Sequence, residues 1–200
     1  VAFLSIFVGY IVSKYSIASR CFKTFVLGAI LSTSLLVFLD KGDWMWALIL
    51  FGISCLFFSL ANMLYDAFLM FIVEKSERYY ASLLAYSLGY AGGGLVFACH
   101  ALLASFPSFF HLSSFSLLIT IVCLSVSVWW FVFSVPIFSM THRLSLTLSH
   151  VSYNDFKSVF MNRHCSIFLI AYFFYMDGVW TIIKLAVDYG LSLGFSDSTL

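Results

Sequence analysis

Long apolar runs separated by short clusters of charge organise this chain. The runs cover residues 1–13, 24–39, 45–72, 81–104, 112–138 and 166–187. A hydrocarbon core of about 30 Å takes about 20 apolar residues to cross as a helix, so the pattern predicts six membrane-crossing helices, the first of them short. Period-two alternation of polar and apolar residues, the mark of a membrane barrel, is missing from all six runs.

The connecting segments alternate in charge. Lys14, Arg20 and Lys23 lie between the first two runs, Lys75 and Arg78 between the third and fourth, and Arg143, Lys157 and Arg163 between the last two. Eight of the ten basic residues thus fall on every second connection. The other connections hold Lys41 beside Asp40 and Asp43, and the uncharged stretch 105–111. Basic residues gather on the cytoplasmic side of membrane proteins, which predicts that the basic connections are cytoplasmic. The remaining basic residue, Lys184, falls inside a helix.

Composition removes the soluble alternative. Hydrophobic side chains make up 62% of the 200 residues and charged ones 10%, and the mean hydropathy is +1.04. Too few charged groups are present to clothe a water-soluble fold of this size. A net charge of +1 gives no field to attract nucleic acid. Cys21, Cys55, Cys99, Cys123 and Cys165 are scattered, odd in number and never spaced as C-x-x-C, which argues against a disulfide framework and against a metal site. The expected class is therefore all-α, a polytopic transmembrane helix bundle. Val1 stands in an apolar run and residues 196–200 carry no closing signal, so the expectation is a fragment of a longer protein.

An ionisable group costs on the order of 2.5–3.5 kcal/mol at the centre of a membrane helix, so each one needs a partner or a hydrated cavity. Asp177, Thr181, Lys184 and Asp188 stand at i, i+4, i+7 and i+11, one polar face of the last run. Such a face suits a solute or proton pathway, and Asp177, with the neighbouring Tyr175, is its centre. For Lys184 and Asp188 an internal ion pair one turn apart is an equal reading. Asp66, preceded by Tyr65, is a second candidate for the pathway; its alternative is a side chain that reaches the interface or pairs with a basic residue of a neighbouring helix. His100 reads as a hydrogen-bonded packing residue, with a proton relay as its alternative. Ala81, Ala85, Gly89 and Gly93 recur every fourth residue, with Gly92 and Gly94 alongside, and form a small-residue ridge on which another helix can pack closely. Trp129 and Trp130 precede Pro136, which is expected to close or kink the fifth helix.

Several of these segments resemble the autophagy-related vacuolar effluxer-like branch of the major facilitator superfamily. Tyr65-Asp66-Ala67-Phe68-Leu69 is similar to that family's Tyr-Asn-Ala-Phe-Leu-Pro. Leu88-Gly89-Tyr90-Ala91-Gly92-Gly93 fits as well. The most specific stretch is Ala171-Tyr172-Phe173-Phe174-Tyr175-Met176-Asp177-Gly178-Val179-Trp180-Thr181-Ile182, beside the family's Ala-Tyr-Phe-Leu-Tyr-Asn-Asp-Gly-Val-x-Thr-Ile. The resemblance implies that the six runs are the second to seventh helices of a twelve-helix transporter working by alternating access. It implies an N-terminal bundle over 1–138 lacking its first helix, a cytoplasmic inter-bundle loop over 139–164, and the first helix of a C-terminal bundle with its outer loop over 165–200. Ser13 stands where the superfamily's loop after the second helix carries Asp, Asp66 and Met176 replace Asn, and Met70 replaces Pro.

The expected function is transport of a small solute, amino acids being one class, with protons as a candidate coupling ion. The expected partners are the lipid bilayer and that solute, with no nucleic acid. Neither a cofactor, a metal nor a catalytic residue is expected. The location is a multi-pass position in a bacterial inner membrane or a eukaryotic organelle membrane. Two alternatives are a non-transporting receptor or scaffold, and an intramembrane aspartyl protease using Asp66 and Asp177. The second lacks the Gly-x-Gly that precedes the second aspartate in that class.

Overall fold

The structure, a computed structural model, describes residues 2–110, 114–144 and 153–193. Among these, seven α-helices and one short 3₁₀ turn account for the regular structure, with no strand. The helices are α1 (Ala2–Tyr15), α2 (Ala18–Leu35, followed by the 3₁₀ turn Leu36–Phe38), α3 (Trp44–Ile72), α4 (Arg78–Ser105), α5 (Phe115–Leu144), α6 (Tyr153–Met161) and α7 (Arg163–Ser192). Five segments are long and apolar enough to cross a membrane: Ala18–Phe38, Trp44–Ile72, Arg78–Ser105, Ser116–Thr141 and Arg163–Ile183. With 14 residues, the described part of α1 reaches about 21 Å, short of a full crossing. The chain divides into two compact units, residues 1–150 and 151–200.

Most helices outrun the apolar runs that predict them. α2 begins at Ala18 rather than 24, taking Arg20 and Lys23 into its first turns. Backbone groups entering lipid must already be bonded to one another, and long basic side chains can reach back to water from inside the helix. α5 continues past Pro136 to Leu144, so this proline does not close the helix. It withholds only the N–H that the Val132 carbonyl would accept.

α1 and α2 meet in a tight corner. The Ser16 N–H donates to the Ser13 carbonyl at 3.3 Å and the Ile17 N–H to the Val12 carbonyl at 3.2 Å, with Ser16 at φ 52°. This is the left-handed C-terminal cap in which two orphan carbonyls find donors. Ile17 also packs against the cluster that contains Val12, the hydrophobic contact that accompanies such caps.

The first unit's core comprises Val12, Ala18, Phe22, Val26, Ala61, Leu64 and Phe68, with Ile137 and Phe138 against it. The Phe22 ring meets Phe68 edge-on at 5.5 Å and Phe138 at 6.1 Å. These contacts bring together the start of α2 and the ends of α3 and α5. The same side thus gathers the connections that carry Lys14, Arg20, Lys23, Lys75 and Arg78. It is the side that the distribution of basic residues leads one to expect in the cytoplasm.

Hydroxyls join the helices where lipid offers no hydrophobic drive between them. Ser19 of α2 donates to Thr141 of α5 at 3.1 Å, both buried. Thr33 of α2 and Ser54 of α3 share a hydrogen bond of 2.8 Å. Gly28 lets α3 approach so closely that a β-carbon there would lie 2.7 Å from the Phe57 ring. At the end of α3, the Arg78 guanidinium donates to the Met70 carbonyl at 2.7 Å and the Val73 carbonyl at 3.3 Å, closing the last turn with a cation.

Candidate functional site

Asp66 lies six residues before the end of α3, about 9 Å inside the helix from its C-terminus. Among the described residues its carboxylate meets no basic side chain. The Tyr86 hydroxyl of α4 lies 3.1 Å from each of its two oxygens. One phenolic proton serves both oxygens, so the bond is shared and the carboxylate keeps acceptor capacity to spare. Both side chains remain exposed on the first unit's surface, where a solute or a water could reach them.

Tyr65, the neighbour of Asp66, borders a different feature. With Phe68, Leu69, Ile72, Ile137, Met140 and Thr141 it lines a hollow of about 240 Å³ between the C-terminal ends of α3 and α5. The hollow is mainly apolar, and Tyr65 and Thr141 carry the hydroxyl groups among its lining residues.

On α7, Tyr175, Asp177 and Thr181 are all exposed, with Asp177 at the midpoint of the helix. Helical spacing sets Asp177 and Thr181 on one face. The side chains of Lys184 and Asp188, and with them the expected ion pair, lie outside the described residues. Asp66 and Asp177 belong to different units.

The small-residue ridge of α4 is largely open. β-carbons at Gly89, Gly93 and Gly94 would meet nothing within 4 Å, whereas one at Gly92 would lie 3.6 Å from Trp129 of α5. Ala85 is half-buried. His100, near the outer end of α4, has its Nε2 2.7 Å from the Ser125 hydroxyl of α5. The Ser125 hydroxyl also lies 3.0 Å from the Val122 carbonyl, and which of Ser125 and His100 donates in the interhelical bond follows the tautomer of the imidazole. Trp130 packs edge-on against Phe58 of α3 at 5.1 Å. Among the described residues no three His, Cys, Asp or Glu side chains converge as metal ligands.

Sequence reasoning missed Tyr86, Ser125, Thr141 and Phe57 as partners. Tyr86 carried a usable signal, since it falls at i−3 to Gly89 and i−7 to Gly93 and so shares the ridge's face.

No family model and no solved structure matches the chain. Over an alignment of 215 positions that takes in the whole chain, it is 31% identical to the "uncharacterized MFS-type transporter YxiO" of Bacillus subtilis (strain 168). MFS stands for the major facilitator superfamily. The chain spans about half, 49%, of that relative's length. With the five spanning segments, this similarity supports a multi-pass integral membrane protein of the major facilitator type.

Proposed function

We propose that this chain forms part of a secondary transporter of the major facilitator superfamily, in its autophagy-related vacuolar effluxer-like branch, that moves a small solute by alternating access. The observation that carries this reading is whole-length similarity to an MFS-type transporter in a chain with five spanning segments. Amino acids are the first solute class to test, on the strength of the motif resemblance around Asp177.

Asp177 is the proposed centre of the pathway. It stands at the midpoint of α7, exposed, with Thr181 one turn away and Lys184 on the same helical face by spacing. A carboxylate held at such depth costs several kcal/mol while ionised and far less while protonated. Proton uptake and release there would alternate the charge facing the solute, and rocking of two helix bundles would carry that change from one side to the other. Asp66, Tyr65 and Tyr175 are proposed to extend the pathway. The Tyr86 hydroxyl supports Asp66 in this role because it accommodates either protonation state: it donates to a carboxylate and can accept from a carboxylic acid.

The test is uptake by vesicles holding the full-length protein, screened against amino acids and small peptides with and without a proton gradient. Asp177→Asn is expected to abolish uptake or its gradient dependence while inserting normally. Unchanged uptake by that variant would remove Asp177 from the pathway. Absence of transport of every solute by the wild-type protein would favour a receptor or scaffold.

A further inference from the structure

We infer that α3 and α4 together hold a subsite for a protonated amine, with Asp66 as its counter-charge, and that the solute is accordingly a small organic cation. The inference rests on the transporter reading above and specifies the solute that such a site selects.

A polar stripe runs along α3. Cys55, Ser59, Asn62 and Asp66 stand at i, i+4, i+7 and i+11, one face of a helix otherwise rich in Phe, Leu and Ile. By the same spacing the buried residues of α3, Leu60, Ala61, Leu64 and Phe68, fall on the opposite side. The stripe therefore points away from the core of the first unit, and Cys55, Asn62 and Asp66 are exposed. It covers about 16 Å of the helix. A carboxylate and an amide are costly against lipid, so this side of α3 suits a hydrated surface.

The stripe is built to accept hydrogen bonds. The Ser59 hydroxyl donates to the Cys55 carbonyl at 2.8 Å, which uses its hydrogen and leaves the oxygen as an acceptor. Asn62 adds an amide oxygen. At Asp66 one phenolic hydrogen from Tyr86 serves two oxygens, each at 3.1 Å, so lone pairs remain for further donors. An ammonium group is the complement of such a surface, with three donors, no acceptor and one positive charge.

α4 supplies the facing wall. It returns antiparallel to α3, so one turn deeper than the contact between Asp66 and Tyr86 come Asn62 on α3 and Tyr90 on α4. Tyr90 is 76% exposed, and an aromatic face near a carboxylate adds its own attraction for a cation. On the same side of α4, β-carbons at Gly89 and Gly93 would meet nothing within 4 Å, which leaves room for the body of the solute. A carboxylate on that solute would be poorly received. α3 carries no lysine or arginine, and Arg78 of α4 already donates to the Met70 and Val73 carbonyls. The two helices thus favour a net cation over a zwitterion.

The experiment measures equilibrium binding of radiolabelled phenethylamine to the full-length protein in detergent, with unlabelled phenethylamine, phenethyl alcohol and phenylalanine as competitors. The amine is expected to compete about tenfold or more better than the neutral alcohol and the zwitterion, the effect of a hydrogen-bonded charge. Asp66→Asn should weaken amine binding by about tenfold or more. Tyr90→Leu should weaken it roughly 2–5-fold, and Tyr90→Phe, which keeps the ring face, by less. The competitor ranking uses the unsubstituted protein and so decides the matter even where a variant misfolds. Absence of amine binding, equal competition by the alcohol or by phenylalanine, or unchanged affinity in Asp66→Asn would each overturn the inference. Uptake into vesicles separates it from the transporter reading. Uptake of some other solute by a protein that does not bind the amine would overturn the amine subsite alone. Asp66-dependent amine binding without uptake of any solute would uphold the subsite and remove the transport role.

Discussion

The ring of Phe57 on α3 occupies the space that a β-carbon on Gly28 of α2 would need, with ring atoms 2.7 and 2.8 Å from that position. The ring is not free to yield, because it stacks on Phe25 with centroids 6.0 Å apart. Gly28→Ala is therefore expected to destabilise the bundle. Overpacking costs about 1–3 kcal/mol, against a helix-propensity gain of about 1 kcal/mol. Gly52→Ala in α3 meets nothing within 4 Å and keeps only the gain. Thermal unfolding midpoints of the two purified variants in detergent should move in opposite directions, Gly28→Ala downward.

Ser16 adopts the left-handed backbone that closes α1. A β-carbon there costs roughly 1–2 kcal/mol, part of which glycine returns as greater freedom of the unfolded chain. Ser16→Gly is expected to raise the midpoint by the equivalent of about 0.5–1 kcal/mol. Ser16→Val should lower it, since a β-branched side chain tolerates that region poorly.

The pair between Asp66 and Tyr86 separates a structural tether from a pathway group. Asp66→Asn keeps an acceptor for the Tyr86 hydroxyl but cannot ionise, so it should preserve folding and remove the gradient dependence of uptake. Tyr86→Phe removes the donor and is expected to cost no more than about 1.7 kcal/mol of stability, the upper range for interhelical hydrogen bonds in membranes. Initial uptake rates and unfolding midpoints for both variants provide the check. Gradient dependence surviving in Asp66→Asn would make the pair a tether alone.

The helices were legible because lipid imposes a rule that a single sequence displays: every crossing is a charge-poor run, and the charges collect between runs. Helix ends were less legible. Arg20 and Lys23 look like loop residues, yet they belong to α2, since at the interface a helix ends where its backbone finds other donors and not where apolarity stops. Of the two roles open to Pro136, closing or kinking the helix, the first does not hold, since it withholds one N–H and α5 continues to Leu144. Contacts between helices were almost illegible. The spacing of Ala85, Gly89 and Gly93 announces a face without naming what meets it, and among the glycines of α4 Gly92 is the one that approaches a neighbour, Trp129. The closest approach falls instead at Gly28, an isolated glycine with no repeat to advertise it. The candidate residues Asp66 and Asp177 stood out because carboxylates are rare in such runs, whereas Tyr86, one of eleven tyrosines, did not.

α4 contributes no buried residue to the first unit, and its polar bonds to other helices include that of Arg78 at its first residue and those of Tyr86 and His100, the last two about 21 Å apart along its axis. Natural variation on this helix should then be uneven. Within this part of the molecule substitutions would be tolerated along most of its length and penalised at Arg78, Tyr86, Gly92 and His100, so that a mutational scan of α4 would trace four narrow minima in tolerance rather than a continuous helical stripe.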